Sequence, residues 1–143
     1  MTPVVTSAYY LRAAKILRLA AKELRLKKDV KAYERIIKYL SYALQTYSWD
    51  EESGYFGYVV HDSLGNATDI FQYKDQSNFN KGLDGVTPLV AGICSPAQVD
   101  RLMEHLFSPD ELWTKVGLST VDQSAPYYKA VSYTHLTLPT IRL

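Results

Sequence analysis

Two apolar stripes at helical period, separated by only a few residues, constrain the fold of this chain most strongly. Both repeat at intervals of three and four residues, which is typical of amphipathic helices. The first stripe consists of Tyr10, Ala14, Leu17, Ala21 and Leu24. The second consists of Tyr33, Ile37, Leu40, Leu44 and Tyr47. We expect the first helix to begin near Thr6 or Ser7 and Asp29 to cap the second. So short a connection predicts an antiparallel helical hairpin, which needs further helices to bury its remaining surface.

The first helix also carries a basic face opposite its apolar stripe. This face consists of Arg12, Lys15, Arg18, Lys22 and Arg25. It could bind an anion, but a solvated face explains the opposite stripe as well, and we predict the solvated face. The tyrosines at helical spacing are likewise predicted to pack in the core.

Strand formers follow the hairpin. Residues 49–53 (WDEES) should end the second helix, and Gly54 should turn the chain. The pattern over residues 55–73 predicts one β-hairpin around a Gly-Asn reversal. The acidic residues 50–52 do not have the spacing of a calcium-binding loop, so a turn is predicted there rather than a metal site. Residues 74–81 are polar and are predicted to be exposed.

The second half of the chain contains two further helical patterns. Residues 86–93 predict a short apolar helix that Gly92 weakens near its end. Ser95, followed by proline and by Gln98 three residues on, predicts a capping box at the start of an amphipathic helix. The apolar stripe of that helix consists of Val99, Leu102, Met103 and Leu106. His105 lies away from this stripe without a partner at ligand spacing, which predicts a surface histidine.

A long aperiodic loop then extends to Tyr128. Its potential ligand-binding groups are Trp113, Thr114, Ser119, Thr120, Asp122, Gln123, Ser124, Tyr127 and Tyr128. Loops of this length in a compact chain are uncommon unless they are functional. The sequence contains no glycine-rich phosphate loop, HExxH, CxxC or nucleophile elbow, so it shows no self-contained catalytic motif and predicts no cofactor.

Composition narrows the class of protein. Sixteen basic and fifteen acidic residues give a net charge of +1, which argues against nucleic acid or an anionic membrane as a partner. The single cysteine, Cys94, excludes an internal disulfide, and no apolar run is long enough to span a bilayer. The N-terminus lacks the pattern of a signal peptide. We expect a cytoplasmic protein, with a periplasmic one as the alternative.

Several phrases together resemble glycoside hydrolase family 63 and its bacterial relatives, the mannosyl-oligosaccharide glucosidase-like and mannosylglycerate hydrolase-like enzymes. The resemblance covers roughly residues 6–128. The phrases are WDEESGYF after a helix, PLVAGICSPAQVDRLMEHL, the L-x-S-P-D-E-x-W-T run of residues 106–114, and VGLSTVDQSAPYY. It implies a mainly α fold, a partial (α/α)6 toroid of antiparallel helical hairpins with one inserted β-hairpin.

The resemblance also implies chemistry. Family members hydrolyse α-glycosidic bonds in oligosaccharides or small glycosides with inversion, using two carboxylates roughly 6.5–9.5 Å apart. The family's acid lies before this segment and its base after it, so no catalytic residue is expected among residues 1–143, and Asp84 and Asp122 are not assigned to either role. The implied wall of the sugar pocket consists of Trp113, Gly117, Leu118, Ser119, Asp122 and Gln123. The alternative is that this loop only braces the rim of the toroid.

The C-terminal residues depart from the family's pattern, which would continue with a Tyr-Trp and a Gly-x-Val-Trp phrase. From Val131 the chain has neither helical period nor sustained alternation, and SYTHLTLPT resembles a translated sequencing adapter. We therefore expect residues 1–129 to be a fragment of the catalytic domain and residues 130–143 to be a non-native or disordered tail.

The leading hypothesis is thus a fragment of a glycosidase, inactive alone and prone to aggregate or stay partly molten. A helical-repeat interaction module is the first alternative, but the two-helix unit does not recur after Tyr47. A noncatalytic carbohydrate-binding domain is the second alternative, which the aromatic loop favours.

Overall fold

The computed structural model describes residues 1–129, and its first two elements are long helices. Helix α1 (Val4–Glu23) and helix α2 (Lys27–Ala43) pack against each other as the predicted antiparallel hairpin. Both begin earlier than predicted. Pro3 precedes α1 without a side-chain cap, and Asp29 lies inside the first turn of α2. A carboxylate there still stabilises the helix through its dipole.

The buried face of α1 differs from the predicted stripe. The fully buried side chains on this helix are Val4, Ala8, Leu11, Ala14 and Ala21. Tyr10, Leu17 and Leu24 are 53%, 46% and 68% exposed, so their predicted burial is wrong. The helix has two apolar faces, and the face rich in alanine is buried because small side chains allow neighbouring helices to approach closely.

The basic face of α1 is not simply solvated, as was predicted. Arg12 donates to the carbonyl oxygen of Val90 at 2.8 Å, and Lys15 Nζ donates to those of Ala91 and Gly92 at 2.6 and 3.0 Å. These oxygens lie at the end of a short helix described below, where cations stabilise unpaired carbonyl groups. The two side chains therefore fasten α1 to the second half of the chain.

Helix α2 faces the core with Ile37 and Leu40, which lie on its predicted stripe. The stripe continues to the buried Leu44 but not to Tyr47, which is 45% exposed. The reason is a π-helical turn, Leu44–Ser48, that follows α2 directly. Its wider i→i+5 turn rotates the following residues away from the α-helical stripe.

The predicted single β-hairpin over residues 55–73 is in fact parts of two hairpins. Strand β1 (Trp49–Asp50) pairs with β2 (Tyr55–Phe56), and β3 (Val59–His61) pairs with β4 (Ala67–Ile70), both antiparallel. The Asp50 carboxylate accepts from the turn of the first hairpin at Glu52 N, with Gly54 at φ 71°. The Gly-Asn reversal between β3 and β4 is confirmed, with Gly65 at φ 87°.

Residues 74–81 include two buried asparagines, so their predicted exposure is wrong in part. Asn78 and Asn80 are only 3% and 4% exposed. Asn80 Oδ1 accepts from Tyr58 N at 2.8 Å, and Asn78 Nδ2 donates to Ser53 Oγ at 3.2 Å. Asn80 thus supplies the acceptor for a backbone N–H between β2 and β3, and Asn78 ties this segment to the first hairpin, so both polar side chains are satisfied although buried.

The predicted apolar helix over residues 86–93 is divided into α3 (Leu83–Val86) and α4 (Pro88–Ala91). Gly92 ends α4 in the left-handed conformation at φ 62°. Helix α5 (Pro96–Phe107) begins with the predicted capping box, in which Ser95 and Gln98 bond reciprocally. Two last strands, β5 (Trp113–Thr114) and β6 (Gly117–Leu118), form a small antiparallel hairpin inside the predicted loop.

The core lies where all these elements meet. Its buried apolar residues are Val4, Ala8, Leu11, Leu44, Tyr55, Phe56, Val86, Ala91, Leu102 and Leu112. The described chain is mainly α-helical, as predicted, but it has three small strand pairs rather than the one predicted β-hairpin. No helix within residues 1–129 is both long enough and apolar enough to cross a bilayer. The predicted tail lies outside the described residues.

Candidate functional site

The loop that the sequence singles out is built on a buried polar cluster, which we call the Tyr55 cluster: Tyr55, Lys81, His105, Glu111 and Asp122. Tyr55 and Asp122 are both 0% exposed, and the Tyr55 hydroxyl donates to Asp122 Oδ2 at 2.9 Å. Lys81 Nζ lies 3.9 Å from the same oxygen. Desolvation, and then the charge of Asp122, raise the pKa of Tyr55 far above its ordinary value. The phenol is therefore a permanent donor, and it fixes the carboxylate.

His105 belongs to this cluster, so its predicted place on the surface is wrong. It is 8% exposed, and its ring stacks on Tyr55 with centroids 4.1 Å apart and planes inclined by 17°. Its Nδ1 atom lies 3.0 Å from both carboxylate oxygens of Glu111. Its Nε2 atom has no hydrogen-bond partner among the described residues. The sequence did hold a signal, because His105 follows Leu102 by three residues and so shares its buried helical face.

One donor atom from each of His105, Glu111 and Asp122 lies within 4.8 Å of the others, which is a spacing that a cation could bridge. In this conformation, however, each group already has a protein partner. Asp122 accepts from Tyr55 and from the backbone N–H of Ser124, and Glu111 contacts His105. The two carboxylates are thus bound within the protein, whereas His105 Nε2 is buried without a hydrogen-bond partner among the described residues.

The predicted pocket residues fall into two groups by exposure. Ser119 and Asp122 are both 0% exposed, and Ser119 Oγ donates to the carbonyl oxygen of Val121 at 2.6 Å. Gln123 Nε2 donates to the carbonyl oxygens of Pro109 and Glu111 at 3.1 and 2.9 Å. All three side chains therefore bond within the protein, and Gln123 fixes the loop to the turn after α5.

Trp113, Gly117 and Leu118 form the exposed group on the β5–β6 hairpin. Trp113 is 46% and Leu118 44% exposed, and the Trp113 ring lies 5.5 Å from that of the exposed Phe107. Thr114 Oγ1 donates to the carbonyl oxygen of Gly117 at 2.7 Å and so tightens the turn. The result is a rigid, solvent-facing aromatic surface of the kind on which a sugar ring can stack.

The tyrosine predicted to be available at the end of the loop, Tyr127, is used inside the protein instead. Its hydroxyl accepts from Lys81 N at 2.9 Å and donates to the carbonyl oxygen of Asn78 at 3.2 Å. Its ring packs on Phe79 with centroids 5.1 Å apart. Burial raises the pKa of Tyr127 well above its ordinary value. Tyr127 thus closes the loop onto residues 78–81.

A second tyrosine–aspartate pair, which sequence reasoning missed, lies at the surface. The Tyr58 hydroxyl donates to Asp84 Oδ2 at 2.7 Å, and Asp84 lies in the first turn of α3. Desolvation and this hydrogen bond raise the pKa of Tyr58 to about 12. Asp84 is exposed, so its carboxylate can be reached from solvent.

Solved structures share this arrangement of elements. A GH63 mannosylglycerate hydrolase from Thermus thermophilus, solved in complex with Tris, is 22% identical with a TM-score of 0.64, over 89% of this chain and 27% of that one. An uncharacterized conserved protein from the same organism is also 22% identical with a TM-score of 0.64, over 89% of this chain and 29% of that one. The chain therefore spans less than a third of these proteins.

The sequence matches one family over the whole of its described part. No curated protein sequence matches it significantly. The match to the family covers residues 1–135, which includes every element from α1 to β6. The chain belongs to the mannosylglycerate hydrolase MGH1-like glycoside hydrolase domain family.

Proposed function

We propose that this chain is part of a glycosidase that hydrolyses α-glycosidic bonds in oligosaccharides or small glycosides. The observation that carries the proposal is the family match over residues 1–135. Helices α1 and α2 would then be one hairpin of an (α/α)6 toroid, and the exposed apolar side chains of α1 would face its other helices. The catalytic acid and base would be two carboxylates outside residues 1–143, which act with inversion by way of an intervening water.

The role we propose for this segment is to present one wall of the sugar pocket. Trp113 and Gly117 would contact the substrate, because the β5–β6 hairpin exposes them. Ser119, Asp122 and Gln123 would act from behind by fixing the loop, since their hydrogen bonds are internal. Ser119 and Asp122 are fully buried, which supports the alternative that these two residues brace the rim of the toroid rather than contact the sugar.

The test is to recover the complete reading frame by sequencing across both ends of this segment and to express its product. We expect the product to release a monosaccharide from α-linked glycosides, and ¹H NMR of the first product to show the inverted β-anomer. A complete protein without activity on α-linked glycosides, or one that first releases the α-anomer, would contradict the proposal.

Variants of that complete protein test the proposed wall. Trp113→Ala should raise KM about tenfold with a smaller change in kcat, because it removes binding that substrate and transition state share. Leu64→Ala is the control, since Leu64 is 85% exposed on the turn between β3 and β4 and does not belong to the proposed wall. Equal KM values for the two variants would remove Trp113 from the pocket.

A further inference from the structure

A cavity of about 410 Å³ lies between the start of α1, the end of α2 and the β3–β4 hairpin. Its volume falls within the range of roughly 300–1,000 Å³ that is usual for small-molecule sites. The π-helical turn Leu44–Ser48 contributes part of its wall. Single π-helical turns within helices occur frequently at functional sites. None of the proposed wall residues of the loop lines this cavity.

The lining carries aromatic faces that the fold leaves exposed. Tyr39, Tyr42 and Tyr47 line the cavity and are 71%, 61% and 45% exposed. Tyr42 and Tyr47 meet edge to face with centroids 6.3 Å apart, so each supports the orientation of the other. Exposed tyrosines combine an apolar face with a hydroxyl group, which suits a ligand with both C–H and O–H groups.

Uncharged polar groups complete the lining. Thr2 Oγ1 and His61 Nε2 lie 2.7 Å apart, and His61 Nδ1 lies 3.2 Å from the carbonyl oxygen of Gly65. Asn66 and Ser7 add an amide and a hydroxyl group. Both ring nitrogens of His61 are used in these two hydrogen bonds. Thr2, Ser7 and Asn66 retain lone pairs or protons for a further partner, because hydroxyl and amide groups each form more than one hydrogen bond.

No aspartate, glutamate, lysine or arginine is among the fifteen described residues that line the cavity. Charged residues make up 22% of the chain, so about three would be expected among fifteen. An anionic or cationic ligand would lose solvation here without gaining a counter-charge. The lining therefore favours a neutral ligand.

We propose that this cavity binds a neutral carbohydrate, with the sugar rings against Tyr42 and Tyr47 and the hydroxyl groups toward Thr2 and Asn66. The choice of a carbohydrate among neutral polar ligands rests on the proposed glycosidase function. The aromatic and uncharged lining stands independently of it.

The test is an NMR titration of the ¹⁵N-labelled 143-residue chain with maltose, with glucose 6-phosphate as the charged comparison. We expect maltose to shift the amide signals of Tyr42, Tyr47 and His61 with a Kd on the order of 1 mM. Glucose 6-phosphate should bind at least tenfold more weakly. Tight binding of the phosphate, or maltose shifts confined to other parts of the chain, would overturn the proposal.

Matched variants locate the binding. Tyr42→Ala should weaken maltose at least fivefold, whereas Tyr10→Ala, at a 53% exposed tyrosine outside the cavity, should not. Ala67→Leu adds side-chain volume to the wall without removing a core residue and should also weaken binding. Equal maltose affinities of the three variants would contradict the proposal. So would a wild-type chain that neither gives a dispersed NMR spectrum nor binds maltose.

This titration and the hydrolysis assay can fail separately. Maltose binding at the cavity without hydrolysis by the complete protein would overturn the glycosidase function and leave the binding site standing. Hydrolysis by the complete protein without maltose shifts at Tyr42 and Tyr47 would overturn only the binding site.

Discussion

Burial rather than hydrogen-bond length should decide how much each tyrosine–aspartate pair contributes to stability. The Tyr55–Asp122 hydrogen bond is 2.9 Å long with both side chains 0% exposed, and the Tyr58–Asp84 hydrogen bond is 2.7 Å long at the surface. A hydrogen bond to a charged group contributes about 1.5–3 kcal/mol, and removing the donor from a buried acceptor costs a desolvation penalty of the same order, about 1–3 kcal/mol or more. At the surface, water replaces the lost donor.

Tyr55→Phe should therefore lower the free energy of unfolding by about 2–3 kcal/mol, because only Lys81, at 3.9 Å, would remain near Asp122 Oδ2 among the residues that the structure describes. That is beyond ordinary hydrogen-bond length. Tyr58→Phe should change it by less than about 0.5 kcal/mol. Urea unfolding followed by circular dichroism measures both, with the m-value as a check that the same surface unfolds. A larger loss in Tyr58→Phe than in Tyr55→Phe would refute the reasoning.

The pH dependence provides a second measurement on the same pair. Burial and Asp122 raise the pKa of Tyr55, so the folded chain keeps this phenol protonated where the unfolded chain ionises it. The resulting stability is fully present below about pH 10, the ordinary tyrosine pKa, and is lost as pH rises above it. Tyr55→Phe removes this dependence, so the stability difference between wild type and variant should shrink above pH 10. A difference in the free energy of unfolding between wild type and Tyr55→Phe that stays constant from pH 8 to 11 would contradict this prediction.

Three further predictions concern other parts of the fold. Burial raises the pKa of the Cys94 thiol to about 11, so at pH 8 only roughly one thiol in a thousand is ionised. The reaction of Cys94 with a disulfide reagent should therefore be at least a hundredfold slower than that of free cysteine, and its rate should rise tenfold per pH unit. A rate near that of free cysteine would contradict this prediction. The double variant Leu17→Lys, Leu24→Lys should shift the chain toward monomer in sedimentation velocity. It should change the free energy of unfolding by less than about 1 kcal/mol, because both side chains are exposed. Unchanged association would show that this face of α1 does not cause the self-association. Gly85→Ala should lower the free energy of unfolding by more than about 2 kcal/mol, since the added Cβ would lie 2.4 Å from a backbone oxygen. Gly65→Ala has open space around the added Cβ and should lower it by only about 1 kcal/mol, because residue 65 has a left-handed backbone. Thermal unfolding of the two variants measures the difference.

Local signals were sufficient for the elements whose ends depend on neighbouring residues. The capping box of Ser95 and Gln98 and the reversal at Gly65 need only partners within four residues, and the structure has both. The buried face of α1 could not be predicted in this way. Leu17 and Ala8 lie on different apolar faces of one helix, and the choice between them depends on which neighbours pack closely.

His105 shows the same limit at the candidate site. Its burial depends on Tyr55, fifty residues earlier in the chain, whose ring covers the imidazole. Both residues lie in phrases that resemble the family, but neither phrase indicates that the two side chains are in contact, so spacing along α5 alone made His105 resemble a surface residue. Only the shared face with Leu102 indicated burial, and the apolar stripe was complete without it.

Polar side chains in an irregular loop have two competing uses, and this competition explains why the pocket wall was ambiguous in the sequence. A loop without a ladder of backbone bonds must satisfy its buried N–H and C=O groups with side chains. Gln123 does so for two carbonyl oxygens, and Asp122 for the N–H of Ser124. Such residues resemble ligand-binding groups in composition, but their hydrogen bonds are already formed within the chain. An aromatic ring does not pair with the buried N–H and C=O groups of the loop. The 46% exposure of Trp113 is therefore the stronger indication of a ligand-binding surface. The same reasoning applies to Tyr47, which helical spacing assigned to the core and which lines a cavity at 45% exposure.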